Sequence, residues 1–233
     1  MFPRMQPATG PVPLLRLAAL ALLTGCGRAP APDPGPWPAA APALADSLLV
    51  DVRARDRGIA VEARYAGPDN FTGAVLPGYE ANRALLRVEA ADALARVQAS
   101  LRPAGLGLKV FDGYRPIRAT QAMVAWTERE GRTELLDQGY IARRSRHNLG
   151  LAVDLTLVHL ATGRELDMGT PFDAFTEAAH TANAEGEVRA NRDRLVRAME
   201  AGGFRNYENE WWHFSFAVAG PEPAFDVVIG GAR

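Results

Sequence analysis

Apolar and polar positions alternate most regularly over residues 151–158. Leu151, Val153, Leu155 and Leu157 fall on one face, and Ala152, Asp154 and Thr156 on the other. A period of two predicts a half-buried strand. Asp154 is the lone acid on its less apolar face, a costly position unless the charge is paired or binds a metal. A second such pattern over 211–218 sets Trp211, His213 and Ser215 against Trp212, Phe214 and Phe216. Leu106 to Phe111 reads as a short buried strand that runs into Asp112-Gly113-Tyr114-Arg115-Pro116. Pro116 suits the start of a helix over 117–130, so Arg115 falls at a strand-to-helix junction, a usual place for functional side chains.

Helical periodicity predicts a helix over 80–101, with Leu86, Ala90, Ala93, Leu94 and Val97 as its apolar stripe and Pro103 and Gly105 beyond its end. A polar helix is predicted over 187–201, stopped by Gly202-Gly203. Residues 47–65 alternate weakly, and Asn70-Phe71-Thr72-Gly73 reads as a loop. Long helices mixed with non-adjacent strands predict an α+β fold with a mostly antiparallel central sheet flanked by helices.

Composition adds the limits. The chain has 233 residues, 48% hydrophobic and 23% charged, enough for one globular core. A net charge of -1 argues against a nucleic-acid partner or a polybasic membrane surface. Near the N-terminus, Arg4 and Arg16 precede a short apolar run, Leu17 to Leu23, of secretory-signal length. The run ends in Leu23-Thr24-Gly25-Cys26, which resembles the lipobox of bacterial lipoproteins. The expected organisation is a signal peptide over 1–25, an Ala/Pro-rich tether over 26–43 and a catalytic domain over 44–233. Cys26, the only cysteine, is then the lipidation site, and the protein is exported and held on the periplasmic side of the envelope by lipid alone. No disulfide can form within the chain.

Two of the four histidines, His147 and His213, lie in short segments that also carry Asp154 and Glu210. Two imidazoles, one carboxylate ligand and one spare carboxylate are the inventory of a catalytic zinc site. Gly150 provides a bend that lets His147 and Asp154 reach one point. In a regular strand Glu210 and His213 would face opposite ways, so Glu210 must sit in the preceding turn or on a bulge to serve as a base. Arg115 is a candidate oxyanion partner. Each residue also has a bland reading: His213 as a core histidine, His147 as a loop residue, Arg115 as a cap. Spacing alone leaves both readings open. His159 and His180 lack motif partners and are read as surface or supporting residues.

Five ordered blocks carry a resemblance: Asn70 to Gly73, Asp112 to Pro116, Ser145-Arg146-His147 through Asp154 to Leu157, Asp167-Met168-Gly169-Thr170-Pro171-Phe172-Asp173, and Glu210-Trp211-Trp212-His213. Over most of residues 60–216 the chain resembles the zinc D-alanyl-D-alanine dipeptidases. The resemblance implies one zinc ion on His147, Asp154 and His213, with Glu210 as catalytic base and Arg115 stabilising the transition state. It implies Ser145 and Asp173 at the ends of a small D,D-dipeptide, Asp173 taking the free amino group. The lipobox and tether depart from the family pattern. Rival readings are a D,D-carboxypeptidase or endopeptidase acting on peptidoglycan stems, and a non-catalytic wall-binding lipoprotein. The last would be marked by loss of Glu210 or a ligand, and none is lost.

Overall fold

The computed structural model describes residues 35–231. The signal peptide over 1–25 and Cys26 lie outside the described residues. In chain order the regular elements are α1 (Pro42–Leu48), β1 (Leu49–Asp51), α2 (Val52–Arg55), β2 (Ala60–Val61), β3 (Leu85–Arg87), α3 (Val88–Leu101), β4 (Leu106–Asp112), α4 (Ile117–Arg129), α5 (Glu134–Asp137), β5 (Ala152–His159), α6 (Gly186–Ala201), β6 (Phe204–Tyr207) and β7 (Glu210–Phe216). Five strands form one sheet in the order β2-β4-β5-β7-β6, and only β2 and β4 run parallel. The architecture is the expected α+β with a mostly antiparallel sheet. β1 and β3 make a separate antiparallel pair.

The sheet carries the site. β5 lies at its centre, with Asp154 opposite Asp112 on β4 and opposite His213 on β7. One face of β5 packs Leu151, Val153, Leu155 and Leu157 into the main core with α3 residues such as Leu94 and Val97. The other face is buried too, where half-burial is expected from the alternation: Ala152, Asp154 and Thr156 are all shielded from solvent. Asp154 lies at the buried base of a cleft lined by both loops and strands.

Two further expectations are corrected. The helix predicted from Glu80 begins only at Val88. Leu85 to Arg87 pair with β1, and the Arg87 N–H donates to the Gly150 carbonyl (2.9 Å). Leu86 fits a helical stripe and a buried strand equally well, and long-range pairing decides. The tether expected to run through residue 43 is already on the domain at Gly35. Trp37 packs against the main core, and the Ala40 N–H donates to Ala224 O (2.8 Å). Arg144 lies over the Trp37 ring (4.6 Å) and donates from Nε to Gly35 O (3.0 Å).

Gly150 turns the chain into β5 at φ 67°. A Cβ there would stand 2.5 Å from Leu49 Cδ2 and 3.2 Å from the Arg87 nitrogen, so the bend needs a residue without one.

Candidate metal centre

The site is assembled from three loop segments and two strands. Residues 146–149 form one 3₁₀ turn capped by Ser145. Ser145 Oγ accepts from the His147 N–H (3.2 Å), and Asn148 Oδ1 accepts from the Ser145 N–H (3.1 Å), a reciprocal cap. Buried Asn148 also donates to Arg115 O and to Thr120 Oγ1 (both 2.9 Å). The Arg115 N–H donates in return to His147 O (3.1 Å). This stitching fixes the Arg115 loop against the His147 turn.

His147 Nδ1 lies 2.6 Å from Gly113 O and donates to it, which leaves the Nε2 lone pair facing inward. Nε2 is 3.2 Å from His213 Nδ1 and 3.3 Å from Asp154 Oδ2, and His213 Nδ1 is 2.9 Å from Asp154 Oδ1. All three ligand atoms lie within 4.8 Å of one another. Tetrahedral zinc with ligands at about 2.0–2.1 Å would hold its donors about 3.3 Å apart. The donor set fits that ion in type and spacing. Two imidazole nitrogens aimed at each other beside a carboxylate are also poorly matched as hydrogen-bond partners and well matched around a shared cation.

Charge supports the same reading. Burial pushes Asp154 up, but the His147 and His213 rings hold it well below the usual carboxylate range. Burial holds His213 below the ordinary imidazole value, in the neutral form a metal needs.

Glu210 opens β7 opposite Tyr207, where the β6–β7 register shifts. Asn206 Nδ2 donates to both Glu210 O (3.1 Å) and His213 O (3.0 Å), drawing that stretch together. The irregularity puts Glu210 Oε2 3.8 Å from His213 Nδ1, on the ligand side, as the bulge expectation requires. Burial, then the Asp154 and Asp173 charges, push the Glu210 carboxyl well above its ordinary value.

Arg115 sits behind the donors, with Nη2 3.7 Å from Asp154 Oδ2 and its guanidinium over the Tyr65 ring (5.1 Å). Asp173 adopts φ 60°, the one positive φ at a non-glycine among the described residues. Tyr65 donates to its carboxylate (3.0 Å), while burial and then the Asp154 charge push its pKa up to about 8. Ser145, Asp173, Arg115, Glu210 and the three donors all line one cavity of about 270 Å³. A larger cavity of about 750 Å³ lies beyond Asp173 and reaches none of the donors. His159 is exposed, and His180 Nε2 meets Tyr140 (2.9 Å); neither joins the set.

Three contributors are missing from the sequence reading. Asp112 is in a quoted block, yet only its place at the end of a buried strand, three residues before Arg115, hints at a role. Tyr79 and Tyr65 carry no local signal, since their partners lie 33 and 108 residues away.

The Peptidase_M15 family, described as D-ala-D-ala dipeptidase, matches residues 46–227. A D-alanyl-D-alanine dipeptidase of Enterococcus faecium is 39% identical, over 67% of this chain and 85% of its own length. Its counterpart in Streptomyces coelicolor is 38% identical, over 74% and 93%. The Escherichia coli dipeptidase is 36% identical, over 75% and 88%. A solved D,D-pentapeptidase of a vancomycin-resistance cassette, with zinc bound, superposes with a TM-score of 0.37 at 21% identity, over 58% of this chain and 75% of that one, too loosely to place residues. The family match spans nearly the whole described domain, and so the chain belongs to the Peptidase_M15 family of D-ala-D-ala dipeptidases.

Proposed function

We propose that this protein is a zinc-dependent dipeptidase that hydrolyses D-alanyl-D-alanine, or a closely similar D,D-dipeptide, to free amino acids. The carrying observation is the convergence of His147, Asp154 and His213 in one small pocket with Glu210 and Arg115 beside them and Asp173 on the same wall. Zinc held by the three donors would polarise the scissile carbonyl and acidify the attacking water. Glu210 takes the proton from that water and passes it to the departing nitrogen. Burial and the Asp154 and Asp173 charges raise its proton affinity, which favours taking a proton from water. Arg115 presents a fixed cation to the carbonyl oxygen as negative charge develops there. Asp173, steadied by Tyr65, pairs with the substrate ammonium, and the arriving cation favours its ionised form. Ser145 serves the opposite end of the dipeptide.

A stem-peptide D,D-carboxypeptidase is the second reading, favoured by the exported location expected from the N-terminal sequence. Blocking the amino group separates the two. Against free D-Ala-D-Ala, the N-acetyl dipeptide should lose on the order of 100-fold or more in kcat/KM, because Asp173 would be left buried without its partner. Equal rates would reject the dipeptidase reading in favour of the carboxypeptidase.

The Leu23-Thr24-Gly25-Cys26 run and the Ala/Pro-rich stretch after it support a lipid anchor at Cys26 on the periplasmic side. Cys26→Ser should move the enzyme from the membrane fraction to the soluble one. Unchanged fractionation would refute the anchor.

A further inference from the structure

Asp112 closes β4 and is almost fully buried at 1% exposure. The side chains that hydrogen-bond it are donors, although Asp154 stands opposite it across the sheet. Arg115 reaches one of its oxygens, Oδ2, with both Nε (2.9 Å) and Nη2 (2.8 Å). Its other oxygen, Oδ1, accepts from the Tyr79 hydroxyl (2.6 Å). His147 Nδ1 is also near Oδ2, at 3.5 Å, but its proton goes to Gly113 O at 2.6 Å, so the main service of Asp112 is to Arg115.

The remaining contacts of Arg115 are weaker guides to its direction: Asp154 Oδ2 stands 3.7 Å from Nη2, beyond hydrogen-bond distance. Tyr65 covers one face of the guanidinium, and Nη1 meets Met123 Sδ (3.3 Å). A ring face and a thioether let the group slide and rotate; a carboxylate oxygen shared by Nε and Nη2 does not. The register shift between Val110 and Asp112 turns this carboxylate beneath the Arg115 loop. Tyr79 in turn fixes the carboxylate, so the chain of contacts runs from a buried hydroxyl to the guanidinium edge nearest Asp154.

We propose that Asp112, braced by Tyr79, is a positioning residue that sets the attitude of Arg115 before substrate arrives. This rests on the reading of Arg115 as the oxyanion partner. A long, flexible side chain can stabilise developing charge efficiently only if its orientation is settled in advance. Asp112 lines no part of the cavity that holds the donors, and its closest polar contacts within the site are to Arg115.

The test is steady-state hydrolysis of D-Ala-D-Ala by zinc-loaded full-length enzyme, with metal content measured for each variant. Asp112→Asn should retain one zinc per chain and a KM within about 3-fold of native, and lose roughly 10- to 100-fold in kcat, the range for removing a group that orients an active-site partner. Tyr79→Phe should lose several-fold in kcat. In an Arg115→Ala background both changes should cost less than about 2-fold further, since a positioning residue has nothing left to position. A native kcat in Asp112→Asn, or losses that multiply onto Arg115→Ala, would overturn the proposal. If Asp112→Asn does not fold, Tyr79→Phe decides in the same two backgrounds, and a native kcat there overturns it. Full activity in Arg115→Ala itself would instead refute the catalytic reading of Arg115.

Discussion

Glu210→Gln is expected to keep its zinc and its fold and to lose turnover by about 100- to 10,000-fold, the usual contribution of a positioned general acid–base group. The amide matches the carboxylate in shape, so the turn before β7 and the two Asn206 bonds that hold it are untouched; both are made to backbone carbonyls. What disappears is a group able to take a proton beside His213 and return it to the leaving nitrogen. Stability should not fall. The Glu210 carboxyl is buried and faces the Asp154 and Asp173 charges, all of which disfavour its ionised form. A neutral amide brings no charge into those surroundings. Three measurements on one sample settle the matter: kcat, zinc stoichiometry and Tm. Near-native kcat with zinc present would sink the base assignment.

Removing the metal should have the larger effect. Chelation is expected to abolish hydrolysis, and added zinc to restore it. Asp154→Ala should be inactive with or without chelator. Asp154 is the only carboxylate among the three donors, and its loss leaves two neutral imidazoles to hold a dication. The same experiment has a structural readout. A ligand present at about 1,000 times its Kd stabilises the folded state by about 4 kcal/mol, so chelation should lower the Tm of the native enzyme by several degrees. Asp154→Ala, lacking a full donor set, should show almost no chelator-dependent shift. Unchanged activity of the native enzyme after exhaustive chelation, verified by metal analysis, would refute the zinc reading.

The parts of the molecule legible in the sequence are those with a local period or a local punctuation mark. β5 announces itself by alternation, and the same alternation isolates Asp154 as an acid with no ordinary reason to be buried. α6 ends at Ala201 as predicted, where Gly202-Gly203 follows, and starts at Gly186, one residue before its predicted start. α4 begins at Ile117, as expected, but Pro116 stands at its N-cap with an extended ψ of 145° and not as its first helical residue. The start of α3 is not legible, since Leu85 and Leu86 satisfy a helical stripe as well as a strand. Pairing with Leu49 to Asp51, more than thirty residues back, settles it. Residues 35–41 mislead in the opposite way. Their composition is that of a tether, yet Trp37 packs on the core while the Ala40 and Gly35 backbone groups bond to the domain.

By itself the sequence determined the inventory: two imidazoles, an aspartate, a glutamate and an arginine, with Asp154 and His213 on strands and the others at a turn, a strand start or a junction. Tertiary structure alone decided that they meet. The facing of Asp154 with His213 is a matter of sheet register, and the placing of Glu210 depends on a shift between β6 and β7. The supports contributed by Asp112, Tyr79 and Tyr65, and the raised proton affinities of Glu210 and Asp173, also exist only in the folded chain. The physical reason is common to all of them. Periodicity and capping act between residues a few positions apart, whereas desolvation and hydrogen bonding act between groups that burial brings together from distant parts of the chain.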